Sequence, residues 1–228
     1  MANAFDREKF LIGEDGLERL ASAHVAVFGI GGVGSYTVEA LARSGVGELT
    51  LIDKDIVEVT NINRQLIADE TTIGKAKVEI AKNRITNINP KCKVNALQIF
   101  YLPETADEID FSKFDYVVDA VDTVTAKLSI IESANKNKVP VISSMGTGNK
   151  LDATAFRVGD LFETKGDGLA KVMRRECRAR NIEKVKVVYS EETGIKSEEI
   201  GSVAFVPSVA GLIIAGEVVK DIAGVNHS

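Results

Sequence analysis

Tryptophan is absent, and the 228 residues hold only two cysteines, two histidines and four prolines. Each scarcity excludes something. Cys92 and Cys177 are far apart and form no CxxC pair, which rules out a four-cysteine zinc site and a disulfide framework and points to a reducing cytoplasm. His24 and His227 cannot supply the histidine-centred triads of hydrolases. No apolar run approaches the ~20 residues of a membrane span, and Met1 to Lys9 is polar and charged, so neither a membrane anchor nor a signal peptide is expected. Lys and Arg number 28 against 33 Asp and Glu, a net charge of −5, so any nucleic-acid partner has to meet a local basic patch.

What is present is concentrated in His24 to Asp53, HVAVFGIGGVGSYTVEALARSGVGELTLID. An apolar run leads into a turn carrying Gly29, Gly31, Gly32 and Gly34. A helical pattern follows, stops at Gly45 and Gly47, and gives way to a second apolar run ending in Asp53. Strand, glycine turn, helix, and parallel strand with an acid at its tip form a nucleotide-binding unit. The glycines allow a tight turn and close backbone approach to phosphate, the helix N-terminus favours an anion, and the acid accepts ribose hydroxyls.

The rest of the chain reads as alternating helices and strands. Phe5 to Leu20 forms an amphipathic helix broken at Gly13, and Gly74 to Asn89 a helix stopped by Pro90. Strands are expected over Lys93 to Phe100, Tyr116 to Ala120 and Val139 to Ser143, with a helix between the last two. Beyond Met145 the pattern places strands at Thr154 to Val158 and Lys184 to Tyr189, and a helix at Gly168 to Arg180. A polar loop covers Ser190 to Gly201, and a final helix rich in small residues opens at Pro207. This alternation predicts an α/β, Rossmann-like fold: a mostly parallel sheet with helices on both faces.

The glycine turn alone would suit NAD as well as ATP, and the downstream residues decide. Asn61, Asn63, Arg64 and Gln65 lie just past the ribose-binding acid. Gly74-Lys75-Ala76-Lys77 sets two lysines in the first turn of a helix, where cations oppose the dipole and an anion is their better reason. Asp119 and Asp122 sit at the carboxyl end of a strand, the edge where ligands bind, and an acid there suits Mg²⁺. Taken singly, Arg64 and Lys77 are ordinary surface cations and Asp122 an ordinary helix cap. Together they suit the departure of pyrophosphate.

GxGGxG, then DxDxVExxNxNRQ over Asp53 to Gln65, then GKxK and DAxD, resembles the E1-like, ubiquitin-activating-type adenylating superfamily across residues 5 to 150. The resemblance implies one adenylation domain over 1–228. Residues 20–150 or so would form its nucleotide half, and 151–228 an extension for substrate binding and dimerisation. It further implies a homodimer in which a carboxylate attacks the ATP α-phosphate. Gly29, Gly31, Gly32, Gly34, Asp53 and Asp55 would bind the nucleotide with Asn61, Asn63, Gln65 and Thr123. Arg64 and Lys77 would act on the phosphates, Asp122 would hold Mg²⁺, and Arg7, in FDREKFL, would reach the site of the neighbouring subunit.

Past residue 150, DGLAKVMRRECRARNI, VVYSEE and FVPSVAGLIIAGEVVKDIAG resemble the branch of the superfamily that dehydrates threonylcarbamoyladenosine, next to the anticodon, in tRNA. The branch that adenylates the C-terminal glycine of a sulfur carrier, for molybdopterin or thiamine synthesis, is the alternative. Its members commonly hold zinc in CxxC pairs, so no zinc is expected here. A sulfur- or electron-transferring protein partner is compatible with the resemblance. Lys171, Arg174, Arg175, Arg178 and Arg180 crowd one helix of an acidic chain and are the candidate tRNA contacts. Cys177, among those arginines, reads as a packing residue because ring closure within the substrate needs no enzyme thioester. A regulatory nucleotide-binding module is the third reading, but it would have no need of Arg64, Lys77 and Asp122.

Overall fold

The computed structural model describes residues 4–225; His227 therefore lies outside the described residues. Seven strands form one sheet in the order β3-β2-β1-β4-β5-β7-β6. They are β1 (His24–Phe28), β2 (Glu48–Ile52), β3 (Lys93–Leu97), β4 (Tyr116–Asp119), β5 (Val141–Ser144), β6 (Phe156–Asp160) and β7 (Lys186–Ser190). All neighbours pair in parallel except β6, which runs antiparallel to β7. Strand order leaves β1 in opposite directions, towards β2 and towards β4. The crevice at their carboxyl ends is therefore the switch point where such sheets take ligands.

The central strands are apolar at consecutive positions because both sheet faces are covered. Val25 to Phe28 and Val117 to Val118 are fully buried. The covering helices are α1 (Asp6–Ser22), α2 (Gly34–Arg43), α3 (Lys77–Ile88), α4 (Val124–Lys136), α5 (Gly168–Ala179) and α6 (Phe205–Ala223). Gly13 interrupts α1 with φ 76°, the break expected from the sequence. In α6 the small residues serve packing within the chain. A Cβ at Gly211 would stand 2.3 Å from the Val33 carbonyl, and the Thr37 hydroxyl donates to the Gly211 carbonyl at 3.0 Å. No helix among the described residues is long and apolar enough to cross a membrane.

Several strand boundaries shift by one to three residues, and two helix boundaries move for clear physical reasons. The last helix begins at Phe205, not Pro207. First-turn N–H groups have no intrahelical acceptor, so proline is tolerated two residues inside. Helix α3 begins at Lys77 rather than Gly74, whose φ of 79° is not helical. Only one of the two lysines therefore sits in the first turn, and Lys75 is left exposed before the helix.

A candidate nucleotide and acyl-adenylation site

The crevice holds a cavity of about 580 Å³, within the size range of small-molecule sites. Its end at the glycine turn is built from backbone. Gly29 turns the chain with φ 87°, and a Cβ there would lie 2.7 Å from the Ala120 carbonyl oxygen. A Cβ on Gly34 would overlap the Gly29 carbonyl, so these two positions exclude any other residue. Gly31 and Gly32 lie on the cavity wall where α2 starts, and Gly34 packs behind them, off the wall. Asp53, at the tip of β2, accepts from the amides of Ile30 at 2.6 Å and Asp55 at 2.8 Å. Burial pushes its carboxyl above the ordinary value, against the pull of those two amides and of Lys77.

The cations are held in place before any ligand arrives. Lys77 is 5% exposed, and its ammonium lies 3.0 Å from the Asp55 carboxylate. Asp55 thus lines the cavity as the partner of Lys77, since a carboxylate itself repels phosphate. The Arg64 guanidinium donates to the Thr60 carbonyl at 2.6 Å and to the Asn63 side chain at 2.9 Å. Asn63 lies outside the lining; it links Arg64 to the Ser202 carbonyl, to which it donates at 2.9 Å. Asn61 is buried on the wall and accepts from the Glu58 amide. Gln65 is 7% exposed on the same wall, and its side-chain oxygen has no hydrogen-bond partner among the described residues. A buried orphan acceptor is costly, so it marks a place where a ligand or its water completes the site.

The two aspartates after β4 do different jobs. Asp119 is fully buried. It pairs with Lys127 at 3.0 Å, accepts from the Ser143 hydroxyl at 2.5 Å, and caps the turn by accepting from the Val121 amide. It is thereby removed from the metal-ligand candidates. Lys127 also donates to the Ser144 carbonyl at 2.7 Å, tying the ends of β4 and β5 together beneath the crevice. Asp122 is exposed on the cavity wall, where Thr123 donates to it at 3.2 Å; α4 begins beyond both, so Asp122 is not its cap. Among the described residues no group of three or more His, Cys, Asp or Glu is placed to hold a metal ion by itself. Asp122 with phosphate oxygens and water fits the hard oxygen set of Mg²⁺.

Several wall residues carry no motif. Ile99, Phe100 and Ala126 add apolar lining, and Lys54 stands over the Phe100 ring at 3.7 Å from its centroid. Thr147, Ser202 and Pro207 also line it. The one signal for the first group was the aromatic end of IFY after β3; the second group had none. Arg7 is exposed on α1 and does not line the cavity of its own chain.

On α5 the basic residues are partly engaged with the protein. Arg174 donates to the Thr164 carbonyl and hydroxyl, Arg175 pairs with Glu176, and Arg180 pairs with Glu176 and Glu132. Lys171 and Arg178 are exposed, Arg178 with its guanidinium 5.3 Å from the Phe162 ring centroid. Cys177 is fully buried among Ala170, Met173 and Leu161, and burial pushes its thiol up to about 11. Such a thiol stays protonated and unreactive at neutral pH. Cys92 lies in a different cluster and is likewise raised, to about 11.

Comparison with known proteins places this site in context. The model of the ThiF family matches residues 5–228. The tRNA threonylcarbamoyladenosine dehydratase of Bacillus subtilis is 45% identical over 242 residues, covering 97% of this chain and 95% of that one. The structure of Escherichia coli tRNA N6-threonylcarbamoyladenosine dehydratase, TcdA, in complex with ATP superposes with a TM-score of 0.92. It is 35% identical, with 97% of this chain and 94% of that one covered. A molybdopterin-synthase adenylyltransferase from Haemophilus influenzae is 28% identical over 210 residues, covering 92% of this chain and 82% of that one.

Proposed function

The chain belongs to the ThiF family, and we propose that it is an ATP-dependent tRNA threonylcarbamoyladenosine dehydratase. The observation that carries this reading is the likeness to the dehydratases along the whole chain, at 45% identity. The nucleotide cavity alone would serve any adenylating relative. The sulfur-carrier alternative rests on lower identity, and the two cysteines lie in separate clusters where they could not share a zinc ion.

Adenine would rest on Ile99, Phe100 and Ala126, with ribose on Asp53. The phosphates would lie against Gly31, Gly32 and the start of α2, with Asn61, Arg64 and Lys77 around them. Mg²⁺ on Asp122 would neutralise charge on the leaving pyrophosphate. The threonyl carboxylate enters from the Thr147 side and bonds to the α-phosphorus as the bond to the β-phosphate oxygen breaks. A nucleophile within the same substrate then attacks the activated carbonyl, its proton is lost, and AMP departs. The sum is removal of one water at the expense of ATP. Arg64 and Lys77 do this work by meeting charge that grows as pyrophosphate leaves.

The proposed assembly is a cytoplasmic homodimer that uses ATP and Mg²⁺ without zinc and acts on tRNA, with Lys171 and Arg178 as the main backbone contacts. Arg7 has beside it two exposed apolar side chains, Phe10 at 83% and Leu11 at 82%. A second copy covering them would bring Arg7 towards that copy's site. The function is tested by mass spectrometry of nucleosides from modified tRNA incubated with enzyme and ATP. Loss of one water at the threonylcarbamoyl adenosine, with AMP released, is expected. ATP–pyrophosphate exchange with a small carrier protein but not with tRNA would overturn it.

A further inference from the structure

A second hollow, of about 400 Å³, lies against the nucleotide cavity at the carboxyl ends of β5 and β7. Its wall carries five glycines: Gly146, Gly148, Gly166, Gly168 and Gly194. Four of them let the loops close up, since a Cβ would press on Asp167, Ile200, Glu191 or Asn149, and Gly168 leaves open space; the wall is therefore rich in backbone, whose peptide groups are the kind of donors and acceptors that read the edge of a base. Leu169 and Ile195, the latter 55% exposed, add apolar surface suited to a ring face. The buried floor is polar without net charge, and the exposed Lys196 is the one further charged side chain on the lining. The Lys150 ammonium lies 2.7 Å from the Asp167 carboxylate and donates to the Gly146 carbonyl at 2.6 Å, both side chains being buried. A charge already cancelled and saturated does not hook a phosphate; it suits a neutral heterocycle.

The outer wall is fastened. Asn149, at φ 58°, exchanges hydrogen bonds with Gly201 through its amide at 2.8 Å and its side chain at 2.6 Å, and its carbonyl accepts from Ile195 at 2.7 Å. The connection to the reaction is short. Thr147 lines the nucleotide cavity, while its neighbours Gly146 and Gly148 line the hollow. The threonylcarbamoyl arm has five bonds between the base nitrogen and a carboxylate oxygen, roughly 6 Å at ordinary bond lengths. That reach matches a step across one residue, whose neighbouring Cα atoms are each about 3.8 Å away.

We infer that this hollow is the pocket for the splayed-out modified adenosine, resting on the dehydratase reading above, with the arm laid over Thr147 so that its carboxylate meets the α-phosphate. Gly168 offers the test, because a Cβ there meets no atom within 4 Å and its backbone is compatible with any side chain. In the full-length protein, Gly168→Phe should raise the KM for modified tRNA at least tenfold and leave the KM for ATP unchanged. Hydrogen exchange of the unsubstituted protein gives a second readout. With a non-hydrolysable ATP analogue present, residues 146–150, 166–169 and 194–197 should exchange more slowly with modified than with unmodified tRNA. An active wild type combined with an unchanged tRNA KM in Gly168→Phe, or with identical exchange for the two tRNAs, overturns the pocket and leaves the function standing. A wild type that fails to dehydrate modified tRNA overturns both.

Discussion

The cations of the nucleotide cavity and those of α5 look alike in sequence and differ in what holds them. Lys77 is buried beside Asp55, and Arg64 is braced by Thr60 and Asn63, so both are held in place on the cavity wall. On α5, Arg174 is spent on Thr164, and Arg175 and Arg180 share Glu176. A cation pre-positioned at a crevice can respond to charge developing in a reaction, whereas a surface cation paired with a neighbouring carboxylate contributes little beyond solvation. Local charge density is therefore a poor guide to which basic residues work on a ligand.

The largest expected effect follows on the cavity side. Arg64→Ala or Lys77→Ala should lower turnover several-hundred-fold, about 3–4 kcal/mol of barrier, with a smaller loss of ATP affinity. Equal losses in both, measured by kinetics and calorimetry, would mean the cations merely bind. Arg7 extends the comparison across the proposed dimer. Mixing Arg7→Ala with Lys77→Ala subunits should return roughly a quarter of wild-type sites, since about half of randomly exchanged dimers are mixed and each has one intact site. No recovery after exchange confirmed by mass spectrometry would remove Arg7 from the partner's site.

Asp53→Ala comes next. Loss of charge-assisted hydrogen bonds to ribose, about 1.5–3 kcal/mol, should weaken ATP binding roughly tenfold to hundredfold. An unchanged calorimetric affinity in a folded variant would reject the assignment. On α5 the effects are smaller and should separate by residue. Replacing Lys171 and Arg178 together with alanine should flatten the log–log salt dependence of tRNA affinity by about 1.5. Arg174→Ala should instead lower Tm, because it leaves the Thr164 carbonyl without its donor. A salt slope that follows Arg174 rather than Lys171 and Arg178 would reverse the sorting. Smallest of all is Cys177→Ala. With its thiol raised to about 11 by burial, the native protein should resist iodoacetamide at pH 8, and the variant should turn over like the wild type. Accumulation of adenylate without cyclic product would make Cys177 catalytic.

The amino-acid sequence by itself determined the parallel sheet, the glycine turn, Asp53, and the motif that names Arg64, Lys77 and Asp122. These features are local: apolar runs, glycine spacing and short-range signals are written in consecutive residues. It also exposed Gly13 as a helix break, because a positive φ requires that residue. Tertiary structure alone decided the rest. Asp119 and Asp122 are three residues apart and indistinguishable in a string, yet Lys127 and Ser143, from α4 and β5, bury the first and leave the second in the cavity. Asn63 and Asn61 share one motif, but only Asn61 lies on the wall, while Asn63 is exposed and donates to Ser202, 139 residues away. Phe100, Thr147 and Pro207 reach the cavity from three separate strand or helix ends. The glycine-lined hollow likewise needed three loops to meet. Such juxtapositions depend on strand order and on which charges find partners at long range, quantities that no local periodicity encodes.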